Sequence, residues 1–209
     1  MFKLAPEGYP FITIFAVLSV ITAVIGPPWM VAVPLVLTAF MIYFFRDPDR
    51  VTTESRDLFY APADGKVILI QETEENELLN KRALEVSIFM DVFNVHVNRA
   101  PCAGTVKEVE RYPGRFIAAF KHDASMVNEH ITMLMETEHG DVVVRQVAGL
   151  LARRAVCRVK PGASLKQGQR YGIIKFSSRL DVFLPLNTRI KVKLNDKVKA
   201  GESILGIIE

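Results

Sequence analysis

Cysteine is scarce in this chain, which has only Cys102 and Cys157 among its 209 residues. These two cysteines do not form the paired spacing of a zinc site, and His122, His130 and His139 add no metal-ligand pattern. We therefore predict no metal site. So few cysteines favour free thiols in a reducing compartment, although the sequence leaves a single disulfide open.

Sequence features of nucleotide-binding and nucleic-acid-binding proteins are also missing. The chain has no glycine-rich phosphate loop, no long run of Lys or Arg, no internal repeat and no low-complexity tract. Its formal net charge is only +3, so no nucleic-acid partner is predicted. A weak positive balance of this size suits a surface that faces anionic lipid headgroups.

Charge is absent from most of the N-terminal region, because no charged residue lies between Glu7 and Arg46. Two apolar runs, 11–25 and 29–45, are separated by Gly-Pro-Pro, which would break a single long helix. Each run would form a helix roughly 22–26 Å long, against about 30 Å of hydrocarbon in a bilayer. Residues 1–45 are therefore predicted to form a membrane-associated helical hairpin that spans or dips into the bilayer. A hairpin buried in a soluble core is the alternative.

Basic residues follow the second apolar run, at Arg46, Arg50 and Arg56. The cytoplasmic flanks of membrane segments are enriched in Lys and Arg. We therefore expect a protein of the cell membrane, with residues 46–209 on the cytoplasmic face. A two-pass hairpin would leave Lys3 on the same side.

Residues 46–209 alternate between apolar and polar positions with the period of β-strands. The segments that show this pattern are 66–71, 85–90, 92–98, 106–111, 130–136, 142–147, 171–176, 180–184, 190–194 and 203–208. Residues 72–82 are acidic and then mixed, which predicts a solvated loop or hairpin tip. The predicted fold class is mainly β: a β-rich sandwich or barrel-like domain preceded by the N-terminal hydrophobic helical hairpin.

Three polar positions stand out against this pattern. Asp64 lies in a Pro-Ala-Asp-Gly turn, His96 lies between two asparagines on the polar side of a predicted strand, and the pair Ser177-Ser178 separates two strands. Taken singly, each has an ordinary structural interpretation as a turn residue or a hydrogen-bonded core histidine. For the serine pair, the alternative is a nucleophile held at a kink in the chain.

Four segments in order, from about residue 44 to the C-terminus, resemble the signature motifs of the short bacterial and archaeal phosphatidylserine decarboxylases. They are 44–50 (FFRDPDR), 62–65 (PADG), 93–101 (FNVHVNRAP) and 176–185 (FSSRLDVFLP). The resemblance implies a proenzyme that cuts itself between Ser177 and Ser178 into a larger N-terminal and a smaller C-terminal chain, which stay associated. Ser178 would become a covalent pyruvoyl group, the catalytic cofactor.

The same resemblance implies roles for other side chains. His96 would serve as base and acid in self-processing and catalysis, and Asp64 would belong to the self-cleavage machinery. By triad logic, we expect Asp64 to orient His96. A segment similar to the family's Ala-Ser-x-x-Asn-Glu makes Asn128 and Glu129 weak candidates for substrate binding.

The implied reaction is decarboxylation of phosphatidylserine to phosphatidylethanolamine and CO₂. The motifs report the serine headgroup, so archaetidylserine or another serine-headed lipid is an alternative substrate, and a homodimer is left open. Loss of CO₂ from an amino acid leaves a carbanion at Cα, which requires an electron sink that ordinary side chains do not supply. The chain shows no sign of a pyridoxal-phosphate domain, and a pyruvoyl group would supply the sink.

One residue departs from the family pattern. The family usually has glycine where this chain has Ser177, and serine narrows the accessible backbone conformations, so we expect slower or stalled processing. A remote alternative from another class is a membrane-anchored, lipoyl-like β module that acts as a carrier without catalysis. Such a carrier would use an exposed lysine at a hairpin tip, such as Lys197 or Lys199.

Overall fold

The fold was analysed in a computed structural model that describes residues 3–119, 124–149, 154–176 and 178–209. The chain forms two compact units, Met1–Asp49 and Arg50–Glu209. Ser177 and His122, both considered above, lie outside the described residues.

The first unit is a pair of apolar helices. Short 3₁₀ turns at Pro6–Gly8 and Pro28–Val31 precede helices α1 (Tyr9–Ile25) and α2 (Ala32–Phe44). Helix α1 ends at Gly26, whose N–H donates to the Thr22 carbonyl before two prolines stop the helix. The segment Pro6–Ile25 is long and apolar enough to cross a membrane, whereas Pro28–Phe44 is shorter. The predicted apolar helix pair is confirmed.

The second unit is mainly β, as predicted. Its strands are β1 (Leu58–Tyr60), β2 (Gly65–Glu75), β3 (Lys81–Met90), β4 (Val97–Arg99), β5 (Gly104–Tyr112), β6 (His130–Thr137), β7 (Gly140–Val147), β8 (Ala155–Cys157), β9 (Ser164–Leu165), β10 (Arg170–Ile174), β11 (Ser178–Leu184), β12 (Thr188–Ile190), β13 (Lys197–Val198) and β14 (Ile204–Ile208). A four-residue helix, α3 (Ala124–Val127), precedes β6.

The strands form one large and two small sheets. The large sheet has eight strands in the order β13-β2-β3-β11-β7-β6-β5-β9 and curls into a half-barrel. The small sheets have the orders β1-β14-β12 and β4-β10-β8. Strand β11 lies in the middle of the large sheet, antiparallel to both β3 and β7.

Strand β11 shows how the alternating sequence divides the sheet into two faces. Leu180, Val182 and Leu184 belong to the main hydrophobic core, because alternate side chains of a strand point to the same face. Arg179 and Asp181 point to the other face and are also buried. Burial on both faces is unusual for charged residues and requires that they be paired.

Three local predictions differ from the structure. The predicted strand 190–194 ends at Ile190, because the chain turns at 193–196, where Asp196 caps the Lys193 N–H. The strand predicted over 92–98 is confined to Val97–Arg99. In the predicted solvated segment 72–82, Glu75 is instead buried, because its carboxylate accepts backbone N–H groups of the hairpin turn.

Candidate active site

The strand pairing brings the predicted motifs to one end of the large sheet. Strand β2 begins at Gly65, directly after Asp64, and Lys66 pairs with Phe89 near the end of β3. Ser178, the first residue of β11, pairs with Met90, the last residue of β3. Because both strands are antiparallel to β3, which lies between them, Asp64 and Ser178 are at the same end of β2 and β11.

Strand β4 places His96 beside the segment that leads into Ser178. The N–H of Ile174 donates to the His96 carbonyl at 3.3 Å, and the N–H of Arg99 donates to the Pro62 carbonyl at 2.9 Å. The second bond holds β4 against the turn that carries Asp64. The topology thus brings all three motifs into one neighbourhood.

The imidazole of His96 is fully buried, and its Nδ1 lies 3.0 Å from the carbonyl oxygen of Asn94. A carbonyl oxygen can only accept a hydrogen bond, so Nδ1 carries the proton. The neutral ring then presents Nε2 as its basic atom. A general base in the predicted processing step would therefore act through Nε2.

The carboxylate of Asp64 is held by a bidentate ion pair. Arg50 Nη1 and Nη2 donate to Asp64 Oδ1 and Oδ2 at 2.6 and 2.7 Å, and the Ala200 N–H adds a bond of 2.8 Å to Oδ1. Both side chains are largely buried, with 7% and 11% of their surfaces exposed. The sequence places Arg50 at the membrane flank and in the family-like segment 44–50, but does not predict its pairing with Asp64. The direct contact by which Asp64 would orient His96 stays a prediction.

Ser178 has no exposed surface, and its Oγ makes no hydrogen bond to any residue that the structure describes. A buried hydroxyl left unpaired costs about 1–3 kcal/mol, so its retention requires an explanation. Nearby, Phe176 adopts a φ of 47°, in the left-handed region that bulky residues rarely occupy. Such strain concentrates at functional sites. The predicted scissile carbonyl is that of Ser177, which lies outside the described residues.

Arg179 and Asp181 of the serine motif form a buried ion pair on the opposite face of β11. Arg179 Nε donates to Asp181 Oδ1 at 2.5 Å, and Arg179 Nη2 donates to Glu85 at 2.9 Å and to Ser87 at 2.8 Å. Burial alone would lower the pKa of Arg179, but Asp181 and Glu85 outweigh it and raise that pKa. Sequence reasoning did not identify this network, whose members come from different strands.

A second buried network continues across the same face. Arg145 Nη2 donates to Glu75 Oε1 at 2.6 Å and lies 2.9 Å from Glu77 Oε2, while Glu77 also bonds to His130 at 2.9 Å. Burial raises the pKa of Glu77. The hydrogen bond from His130, the charge of Arg145 and the hydrogen bond from Thr132 outweigh that effect, so the pKa lies below its ordinary value.

Asn128 and Glu129 lie in the segment between α3 and β6. The Asn128 amide donates to the carbonyls of Ile117 and Ala148 and accepts from the Ile117 N–H, each at 2.8 Å. Glu129 pairs with Arg111 at 2.7 Å. Through these hydrogen bonds, the Asn128 side chain links the backbone at Ile117 to the backbone at Ala148. The substrate-binding role of both residues stays a prediction.

The described residues also line a cavity of about 890 Å³ at the other end of the sheet. Its walls include Glu136 and Thr137, at the end of β6 remote from His130, together with Arg56 and Gln167. His130 pairs with Val147, beside the Ser178 end. The cavity therefore lies away from the candidate residues.

Neither cysteine is bonded to the other. Both thiols are free, and burial raises the pKa of Cys102 to about 12. Among the residues that the structure describes, no three His, Cys, Asp or Glu side chains form a metal-binding group.

The chain is similar to known proteins over nearly its whole length. The sequence model of the family described as "Phosphatidylserine decarboxylase" matches residues 37–206. The chain is 45% identical to the phosphatidylserine decarboxylase proenzyme of Syntrophus aciditrophicus (strain SB), over 97% of this chain and 96% of the relative. It is 46% identical to that of Geobacter sp. (strain M21), over 98% and 96%. It is 43% identical to that of Desulfotalea psychrophila (strain LSv54 / DSM 12343), also over 98% and 96%. The family model covers most of the chain and the relatives match it over nearly its whole length, so this chain belongs to the phosphatidylserine decarboxylase family.

Proposed function

We propose that this protein is a carboxy-lyase that converts phosphatidylserine to phosphatidylethanolamine and CO₂, with a pyruvoyl group made from its own Ser178. The observation that carries the proposal is the buried Ser178 hydroxyl, which lacks a hydrogen-bond partner among the described residues. The strained Phe176 backbone just before it supports a reactive peptide bond at this place. The reaction named for the relatives fits this chemistry.

The first step of self-processing is an acyl shift. Ser178 Oγ attacks the carbonyl carbon of Ser177 and its proton passes to a base. The base then gives the proton to the Ser178 nitrogen as the peptide C–N bond breaks. The products are an ester between Ser177 and the Ser178 side chain and a free amine at residue 178. The attack needs a base because a serine hydroxyl is a weak nucleophile at neutral pH.

His96 is the base that we propose, acting through Nε2. Its Nδ1 is held by the Asn94 carbonyl at 3.0 Å, which keeps the ring in the required tautomer. The backbone bond between Ile174 and His96 holds the histidine next to the segment that enters β11. Burial excludes water, which would otherwise compete for the ester.

The second step is elimination. A base removes the Ser178 Cα proton, the bond between Cβ and the ester oxygen breaks, and the larger chain leaves with a carboxylate at Ser177. The dehydroalanine at residue 178 tautomerises and takes up water, and ammonia leaves as the ketone forms. When present, the pyruvoyl group supplies the electron sink for the carbanion that decarboxylation creates. His96 would donate a proton to the substrate Cα after CO₂ has left.

Strand pairing would hold the two products together after cleavage. The smaller chain, residues 178–209, includes β11, which pairs with β3 at seven positions and with β7 at five. It also includes β14, which pairs with β1 of the larger chain. Cutting before β11 breaks one peptide bond but leaves these ladders intact. We therefore expect the chains to remain associated.

The N-terminal helices fit a substrate that stays in the bilayer. Pro6–Ile25 is long and apolar enough to cross a membrane, and anchoring the enzyme beside its substrate reduces the cost of positioning reactants. By the positive-inside tendency, Arg50–Glu209 would work at the cytoplasmic face. Archaetidylserine and other serine-headed lipids share the reacting group and are the alternative substrates.

The test compares Ser178→Ala with Ser203→Ala, a serine that bonds the Lys199 N–H at an exposed turn. Both variants would be produced with the wild-type protein, followed by gel for fragments and assayed for ¹⁴CO₂ from carboxyl-labelled phosphatidylserine in vesicles. We expect Ser178→Ala to stay whole and inactive, and Ser203→Ala to match the wild type. Cleavage and decarboxylation by Ser178→Ala would overturn the proposal.

A further inference from the structure

Gln146 is a buried polar residue that the processing scheme above does not use. It lies on β7 and pairs with Leu180 of β11, two residues after Ser178. Val142 and Val144 of the same strand belong to the main core, so Gln146 points to the core face, as Ser178 does. Only 1% of its surface is exposed.

The Gln146 amide connects the large sheet to the strand of His96. Its Nε2 donates to Asn98 Oδ1 at 2.8 Å and to the Val156 carbonyl at 3.3 Å. Asn98 lies on β4, two residues after His96, and is fully buried. The contact therefore joins the neighbour of β11 to the element that carries the proposed base.

Asn98 also reaches the register partner of Ser178. Its Nδ2 lies 3.9 Å from Met90 Sδ, and Met90 pairs with Ser178 across β3 and β11. A series of contacts thus runs from Gln146 on β7 through Asn98 to Met90 on β3, and these two strands flank β11. Gly172 leaves room for the Gln146 side chain, because a Cβ at position 172 would lie 2.8 Å from Gln146 Nε2.

The position of Gln146 is not explained by stability alone. Its Oε1 is buried and makes no hydrogen bond within the part of the chain that the structure describes. An unpaired buried oxygen is destabilising, and an apolar residue of similar size would avoid that cost. The hydrogen bond that Gln146 does make leads to the His96 strand.

We propose that Gln146 and Asn98 are positioning residues for self-cleavage, which together hold His96 in register with Ser178. This inference rests on the proposed function. Gln146 sets the Asn98 amide, and Asn98 sets the short strand β4, whose first residue follows His96. Small errors in the placement of a general base reduce rates strongly, so these two amides would affect the rate of cleavage more than folding.

The test follows cleavage of pulse-labelled full-length chain in cell-free synthesis with lipid vesicles. Gln146→Met keeps the volume and removes the hydrogen bond, so we expect cleavage to slow about tenfold. The matched control is Gln167→Met, since Gln167 is also a buried bridging amide, bonded to Leu58 and Ser55 but lining the distant cavity. It should cleave at the wild-type rate, even where its melting temperature falls as far as that of Gln146→Met.

Conservative variants separate positioning from packing. Asn98→Asp keeps the oxygen that accepts from Gln146 and should cleave within about threefold of the wild-type rate, whereas Asn98→Leu should slow about tenfold. Equal cleavage rates for Gln146→Met, Gln167→Met and wild type would overturn the inference and leave the proposed function intact. Failure of wild type and Gln167→Met to cleave at residue 178 would overturn both.

Discussion

Buried polar groups on the two faces of β11 differ in whether they have bonding partners. On one face, Arg179 and Asp181 are buried, yet Arg179 forms ion pairs with both Asp181 and Glu85. On the other, Ser178 Oγ is buried without a hydrogen bond among the described residues. Satisfied buried charges are typical of structural networks, whereas an unsatisfied buried hydroxyl requires an explanation. One strand thus carries a structural motif and a candidate catalytic motif on alternate residues.

The largest expected effect is a lower rate of self-cleavage when the proposed base is removed. His96→Gln removes the proposed base but retains a polar side chain, so self-cleavage should slow by about 10²–10⁴-fold. The rate would be measured by quantifying precursor and fragments over time on gels. His139→Gln, on the remote cavity wall, is the matched control and should cleave normally. Normal cleavage by His96→Gln would remove His96 from the mechanism.

On the face of β11 that carries Arg179 and Asp181, a substitution should instead lower the stability of the fold. Asp181→Ala leaves the Arg179 guanidinium with one fewer buried partner, so we expect the free energy of unfolding to fall by about 3–5 kcal/mol. Denaturant unfolding measures this loss on protein that also carries Ser178→Ala, so that wild-type and variant chains are both uncut. A change below about 1 kcal/mol would show that the ion pair is not structurally important.

A smaller effect on the rate of self-cleavage is expected from substitution at position 177, directly before β11. Ser177→Gly introduces the residue usual in the family and widens the range of accessible φ/ψ before the proposed scissile bond, so self-cleavage should accelerate about two- to fivefold. The measurement is the half-life of the pulse-labelled precursor. Ser177→Ala provides the control, because it removes the hydroxyl without adding glycine's freedom. An unchanged half-life in Ser177→Gly would show that Ser177 does not limit processing.

The smallest effect is the acid response of the second network. The pKa of Glu77 is lowered in the folded protein, so its contribution to stability is present above the unfolded-state pKa and lost as pH falls through the folded-state value. Below about pH 4.5, the melting temperature should therefore drop more steeply in wild type than in Glu77→Gln. Parallel pH curves for the two proteins would contradict this role.

The sequence predicts local features well and cross-strand partners poorly. Alternation identified the central strands, because β11 and β7 are buried on at least one face along their whole length. It overextended the strand at 190–194, since a half-buried edge carries the same pattern into a turn. Motif order selected Ser178, His96 and Asp64 as candidates, and their catalytic roles stay predictions. Gln146 and the pairing of Arg50 with Asp64 were missed because their partners are 48 and 14 residues away in sequence.

The most direct test of the central claim is the intact mass of the purified protein, with and without borohydride reduction. The account predicts two chains, residues 1–177 and 178–209, and a mass gain on reduction confined to the smaller chain, as a ketone at its blocked N-terminus requires. A single uncut chain that decarboxylates phosphatidylserine would contradict it. So would two chains whose smaller member begins with an unmodified serine.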